Sequence, residues 1–245
     1  MPAAPERLHS AIKGVWGAQT SGANIVSFNL DAFRSYGKEQ GANAPVSAAA
    51  AFAYATALNH LLAKGSAQRM QVGDASTVFW AQSESDIDVE DSFAALFSDM
   101  QDDPDAHTTQ VRALFDSIKN GRFDGAAGER RFFVLGLAPN AARISIRFWH
   151  AEPLREIALR IQTWFDDLEI AKGPTDMPYP SLYRLLTAIA LQGKADNIPP
   201  NLGGDLMRAV LTGAPYPAMW LNAAVQRCRA EQRVTMTRLR QRIAQ

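Results

Sequence analysis

Cysteine is nearly absent: Cys228 is the only one in 245 residues. One thiol can neither close an intramolecular disulfide nor build a cysteine-only metal site, and it fits a reducing compartment. Net charge is absent as well, because 25 Lys and Arg offset 25 Asp and Glu. A chain that lives by unspecific attraction to nucleic acid is normally basic, so the balance argues against that class for the chain as a whole. No apolar run reaches the ~20 residues a spanning helix needs. The start, Met1-Pro2-Ala3-Ala4-Pro5-Glu6, has no charged leader before an apolar core, so no signal peptide is expected.

Organised chemistry is missing too. His9, His60, His107 and His150 are scattered, with no metal-ligand spacing. There is no Gly-x-Ser-x-Gly elbow, no Walker loop and no nucleophile signature around Cys228. The expectation is a protein without catalytic residues, metal or cofactor. An alternative keeps the acidic block 84–105 as a metal-dependent hydrolase centre for nucleic acid, since Asp86, Asp88, Glu90 and Asp91 offer hard oxygen ligands. That block lacks the glycine and terminal glutamate of an EF-hand loop.

What is present is apolar content and segregated charge. Hydrophobic residues make up 47% of the chain, enough for one large domain or two small ones. Residues 70–111 hold ten acids and no Lys or Arg. Residues 121–160 hold seven Arg against four acids, and residues 201–245 seven Arg against two. Segregation of this kind can give one surface that repels phosphate and another that attracts it. A plainer reading makes the acidic block a solvated loop.

The element pattern predicts an α+β fold: a small mixed or antiparallel sheet with hairpins and packed helices, followed by a helical region. The expected division is a mixed region over 1–150 and a mainly helical one over 151–245. Asn24 to Asn29 reads as a short strand and Ser35 to Pro45 as loop. A helix starts at Ser47 and stops near Gly65, with Phe52, Ala55, Leu58 and Leu62 on its buried face. Strands follow at Arg69–Val72 and Thr77–Ala81, around a Gly73-Asp74 turn, then helices near 90–100 and 106–119. A hairpin follows, with strands at Phe132–Ala138 and Arg143–Trp149 and a turn at Pro139-Asn140. Period two places Ile144, Ile146 and Phe148 on one face of the second strand, and Arg143, Ser145, Arg147 and Trp149 on the other. An amphipathic helix after Pro153 and helices at Pro180–Leu191, Asp205–Leu211 and Pro217–Arg229 complete the pattern.

Three features favour nucleic acid. Arg143 and Arg147 repeat a cation every ~13 Å along a strand, with Trp149 beside them as a stacking surface. The loop from Tyr36 to Asn43 carries Lys38, Gln40 and Asn43 between glycines, and such side chains can read base edges in a groove. Arg227, Arg229, Arg233, Arg238, Arg240 and Arg242 form a basic tail able to meet phosphate. Each feature has a rival: pairing of the strand arginines with Glu152 and Glu156, a structural loop, and a helix end whose cations suit its dipole.

The loop also carries a resemblance. Ile25-Val26-Ser27-Phe28-Asn29, Ser35-Tyr36-Gly37-Lys38, Gln40-Gly41 and Asn43-Ala44-Pro45-Val46-Ser47 closely resemble the large subunit of the type I-C CRISPR Cascade surveillance complex. The stretch from His9 to Gly22, Gln71-Val72-Gly73-Asp74, and Val134 to Ser145 are similar to the same family. The resemblance implies a non-catalytic, cytoplasmic subunit in antiviral defence that helps recognise the protospacer-adjacent motif and hold opened target DNA. Its implied partners are the other Cascade subunits, crRNA, target double-stranded DNA and a recruited helicase-nuclease, with no membrane. It carries Lys38, Gln40 and Asn43 as candidate DNA-reading residues. Family members are about twice this length and the chain resembles their middle, so a fragment, a split subunit or an inert folded remnant is a further expectation.

Overall fold

The computed structural model describes residues 5–28, 30–72, 75–82, 90–91, 93–94, 97, 116–117, 120–121, 126–169, 180–194, 197–199 and 201–230. The fold is α+β. In chain order the elements are α1 (Ala48–Leu61), β1 (Arg69–Val72), β2 (Ala75–Ala81), α2 (Ala126–Glu129), β3 (Arg131–Asn140), β4 (Arg143–Pro153), α3 (Leu154–Asp167), α4 (Leu182–Ile189), α5 (Leu202–Thr212) and α6 (Ala218–Ala230). The four strands form one antiparallel sheet in the order β1-β2-β3-β4. Each strand therefore pairs with its neighbour in sequence, and β2 and β3 are central. Their composition fits that place, because Val78, Phe79, Phe132, Val134 and Leu137 are all fully buried.

Two compact units divide the chain. The first comprises Met1–Arg69, Ala75–Val78 and Leu135–Trp149, and the second Met70–Asp74, Phe79–Val134 and His150–Gln245.

In the first unit α1 starts where Ser47 predicts, with its Oγ accepting from the Ala50 amide at 3.3 Å. Ala51, Ala55, Leu58 and Leu62 are its buried face. Phe52, expected on that face, is instead 71% exposed. The helix is apolar nearly all round, so periodicity alone cannot choose the inward side. Close backbone approach chooses it: a Cβ on Gly14, whose φ is +82°, would lie 2.5 Å from the Leu62 carbonyl oxygen. Polar clamps from α1 fix the same segment. Asn59 accepts from the Lys13 amide at 2.8 Å and donates to the Ala11 carbonyl at 3.1 Å. The Tyr54 hydroxyl meets His9 Nδ1 at 2.5 Å.

Of the stretch expected as a strand at 24–29, the described residues 24–28 make only an isolated parallel bridge, Asn24 to Arg143, with the Ile144 amide donating to the Asn24 carbonyl at 3.0 Å. Beyond it the chain bends, and Phe28 packs edge-on against Phe33 at 5.6 Å. The hairpin turn falls at Ala141–Ala142, two residues later than Pro139-Asn140 suggested, with Ala141 taking a φ of +52°. Inside β3, Gly136 makes room for the Phe148 ring, which lies 2.5 Å from where a Cβ would stand.

The second unit has an aromatic core. Phe79, Phe93, Phe97 and Phe132 are buried with successive ring centroids 4.7–6.2 Å apart. Helix α3 buries Leu154, Ile157, Ala158, Ile161, Trp164 and Phe165, the helical spacing the sequence showed. It begins straight after β4, because Pro153 ends that strand and serves as the helix N-cap. Helix α5 starts three residues before the expected Asp205, with Gly203 buried, and stops at Gly213, whose left-handed φ of +70° suits a glycine C-cap. Arg160 also donates to the Leu211 carbonyl near that end.

His150, at the second unit's end of β4, is held below the usual imidazole range by burial. Glu152 opposes that shift, while Arg160 and Arg208 reinforce it. A folded-state pKa below the unfolded value of about 6.5 means that the unfolded chain binds more protons, so stability falls as pH drops through that value towards the folded pKa. The expected result is that His150→Gln loses less melting temperature than wild type between about pH 7.5 and about pH 5. An unchanged pH slope would show that protonation of His150 does not weaken the fold.

Candidate nucleic-acid interface

Lys38, Gln40 and Asn43 share one loop of the first unit. It is built from short 3₁₀ turns at Ser35–Gly37 and Gln40–Asn43, and three of its residues take left-handed backbone: Tyr36 (φ +59°), Gly37 (φ +66°) and Gln40 (φ +47°). For the two that are not glycine, this conformation costs of order 1 kcal/mol each. The loop is seated by Gly41, which is buried against the segment before it: its amide donates to the Arg7 carbonyl at 3.1 Å. The Glu6 amide donates in turn to the Val46 carbonyl at 2.8 Å, and Pro5 bridges Ser47.

On this seat the three candidates differ. Lys38 is exposed and Gln40 half-buried. Asn43 is half-buried, and its Nδ2 donates to the Gln40 carbonyl at 3.2 Å, closing its own turn. Asn43 therefore shapes the loop, and the outward chemistry rests with Lys38 and Gln40.

Arg143, Arg147 and Trp149 follow the two-residue period on β4, an edge strand. Arg147 is exposed, Trp149 is 50% exposed, and Arg143 is half-buried. The Arg143 guanidinium carbon lies 5.1 Å from the centroid of the Phe33 ring, a cation–π contact that ties the strand to the chain leading into the loop. On the opposite face, which period two gives to Ile144, Ile146 and Phe148, Ile144 is buried while Ile146 is 54% exposed. The two glutamates proposed as rivals face other arginines: Glu152 meets Arg160 at 3.9 Å and Glu156 meets Arg155 at 3.9 Å.

Sequence patterns gave no sign of two exposed aromatics. Tyr36 is 98% exposed beside Lys38, and Trp16 is 66% exposed on a turn whose amide donates to the buried Ser76 Oγ at 2.8 Å. Neither belongs to a periodic segment. The only hint was an aromatic directly before a loop glycine, Tyr36-Gly37 and Trp16-Gly17.

Most of the acidic block lies outside the described residues. Of its four named acids Glu90 and Asp91 are described: Asp91 is exposed, and the Glu90 Oε1 accepts from the Ala81 amide at 2.6 Å. Among the described residues no three His, Cys, Asp or Glu stand together as a metal-binding group. Of the basic tail, Arg227 and Arg229 lie in the last turn of α6, and Arg233, Arg238, Arg240 and Arg242 fall outside the described residues. Among the described residues no helix is long and apolar enough to cross a membrane.

A family model described as CRISPR-associated protein (Cas_Csd1) matches residues 2–242. No curated protein matches the chain. The chain belongs to the Cas_Csd1 family of CRISPR-associated proteins.

Proposed function

With that membership as the premise, we propose that the chain is the non-catalytic large subunit of a type I-C Cascade complex, acting in the cytoplasm in antiviral defence. It contributes to recognition of target double-stranded DNA and its protospacer-adjacent motif. Its partners are crRNA, the other subunits and a recruited helicase-nuclease, and it needs no cofactor of its own. The observation that carries the reading is Lys38, exposed on a loop whose backbone is pinned by Gly41 to a neighbouring segment. A groove reader needs both properties: a long polar side chain free to reach base edges, and a backbone held firmly enough that reaching costs little entropy. Lys38 supplies donors for guanine acceptors and Gln40 supplies an amide suited to adenine. Arg147 and Trp149 offer a phosphate contact and a stacking face.

Division of labour explains why a chain with no net charge suits this task. Protein reads a short duplex motif while the guide reads the rest by base pairing, so local positive groups suffice. The expected result is that a complex assembled with crRNA and the Lys38→Ala, Gln40→Ala double variant binds target duplex about 10- to 100-fold more weakly. The measurement is equilibrium binding at fixed salt, with a non-target duplex as control. Equal binding of target by complexes with and without this chain would end the reading.

A further inference from the structure

We infer that Tyr36 is a stacking platform for an unpaired nucleobase. This rests on the DNA-recognition reading above and adds to it the form of the ligand: single-stranded nucleic acid, held by the face of one base. Three observations converge. The ring is 98% exposed, although a tyrosine side chain usually buries most of its apolar surface. Its backbone sits at φ +59°, next to Gly37 at φ +66° with open space around it, so the dipeptide projects the ring away from the protein. Lys38 follows two residues on, also exposed, so the ring stands beside a cation in the loop already read as facing DNA. A base inside a duplex has both faces covered by its stacked neighbours and offers none to an exposed ring. An unpaired base offers its whole π-face.

A protein partner is the competing occupant. The strand Arg143–Arg147–Trp149 of the same unit supplies further cations and a second aromatic, the combination that single-stranded nucleic acid favours and an apolar protein pocket does not.

The test is photocrosslinking and binding with the assembled complex. The probes are a target duplex carrying 5-iodo-deoxyuridine beside the motif, and the same strand single. Irradiation is expected to crosslink the peptide containing Tyr36. Tyr36→Ala is expected to weaken single-strand binding by about 5- to 150-fold, the range for losing one base–aromatic stack. Tyr36→Phe and Tyr36→Trp keep a ring and are expected to bind like wild type. Alanine takes the same strained backbone as tyrosine, and the ring touches little of the protein, so unchanged melting of the variant isolates the stack. Equal binding by Tyr36→Ala, a loss in Tyr36→Phe as large as in Tyr36→Ala, or a loss of subunit assembly in place of DNA binding would each overturn the inference. Where the Lys38→Ala, Gln40→Ala variant still weakens target binding, the DNA-recognition reading survives that failure. If the complex binds target equally well without this chain, both fall together.

Discussion

Gly41→Ala is expected to lower the melting temperature by about 4–12 °C and to abolish whatever the 35–43 loop contributes to target binding. The cause is steric. A Cβ at this position would lie 1.7 Å from the Glu6 carbonyl oxygen, 2.8 Å from its carbon and 3.1 Å from the Arg7 oxygen. All three are backbone atoms, so no rotamer change relieves the contact. The segment over residues 5–7 must withdraw, taking with it the Gly41–Arg7 and Glu6–Val46 hydrogen bonds and the Pro5–Ser47 bridge. At roughly 1 kcal/mol net for each, the loss is about 2–3 kcal/mol. Ser47 also caps α1, so the disturbance reaches the start of that helix. Gly37→Ala is the contrasting variant: nothing lies within 4 Å of its Cβ, and only the φ of +66° opposes the change, at about 1 kcal/mol. Thermal melts of both variants, with amide exchange at Glu6 and Gly41, separate close packing from backbone strain. A Gly41→Ala melt no lower than that of Gly37→Ala would show that the 5–7 segment does not hold the loop.

The two glycines also show what a sequence reveals and what it hides. Gly37 and Gly41 marked the stretch as loop, and it is loop, because no helical or strand period survives two glycines four apart. Why Gly41 must be glycine was invisible, since the atom that forbids a side chain belongs to Glu6, far off in sequence. Helix α1 divides the same way. Its start was legible from Ser47, a local property of one side chain and one amide. Its inward face was not, because alanines on every side leave the choice between Phe52 and Ala51 to neighbours such as Gly14. The stretch 24–29 has the residues of a strand, but a strand exists only where a partner runs alongside, and among its described residues Asn24 alone finds one in β4. For the candidate interface, residue type picked out Lys38, Gln40, Asn43, Arg143, Arg147 and Trp149 for their chemistry alone. It could not tell that Asn43 turns its amide inward or that Tyr36 turns its ring outward, because both depend on left-handed backbone at non-glycine positions.

Trp164→Ala is expected to cost the second unit more stability than any other single truncation argued above, about 3–5 kcal/mol. Trp164 is 1% exposed on α3. Its ring stacks on Trp220 of α6 at 5.4 Å and 23° and meets Tyr216 edge-on at 5.4 Å. Tyr216 and Trp220 touch each other at 5.9 Å, so removing Trp164 takes one side from a three-ring cluster. The cluster is tied to α3 a second time, because the Tyr216 hydroxyl donates to Asp167 Oδ2 at 2.6 Å. Burial, then that hydrogen bond, pushes the Tyr216 phenol far above its usual range, so the hydroxyl stays protonated and able to donate well into the alkaline range. Two responses could moderate the loss. Trp220 could slide into the space, or water could enter it and satisfy the Trp220 indole Nε1, which is buried without a partner among the described residues. Trp164→Phe separates the cases, since it keeps a ring against Trp220 and opens a smaller space than alanine does. Its loss should be about half that of the alanine variant, by urea denaturation followed at near-ultraviolet wavelengths that report aromatic packing. A Trp164→Ala loss below about 1.5 kcal/mol would mean that α3 and α6 are held together by something other than this cluster.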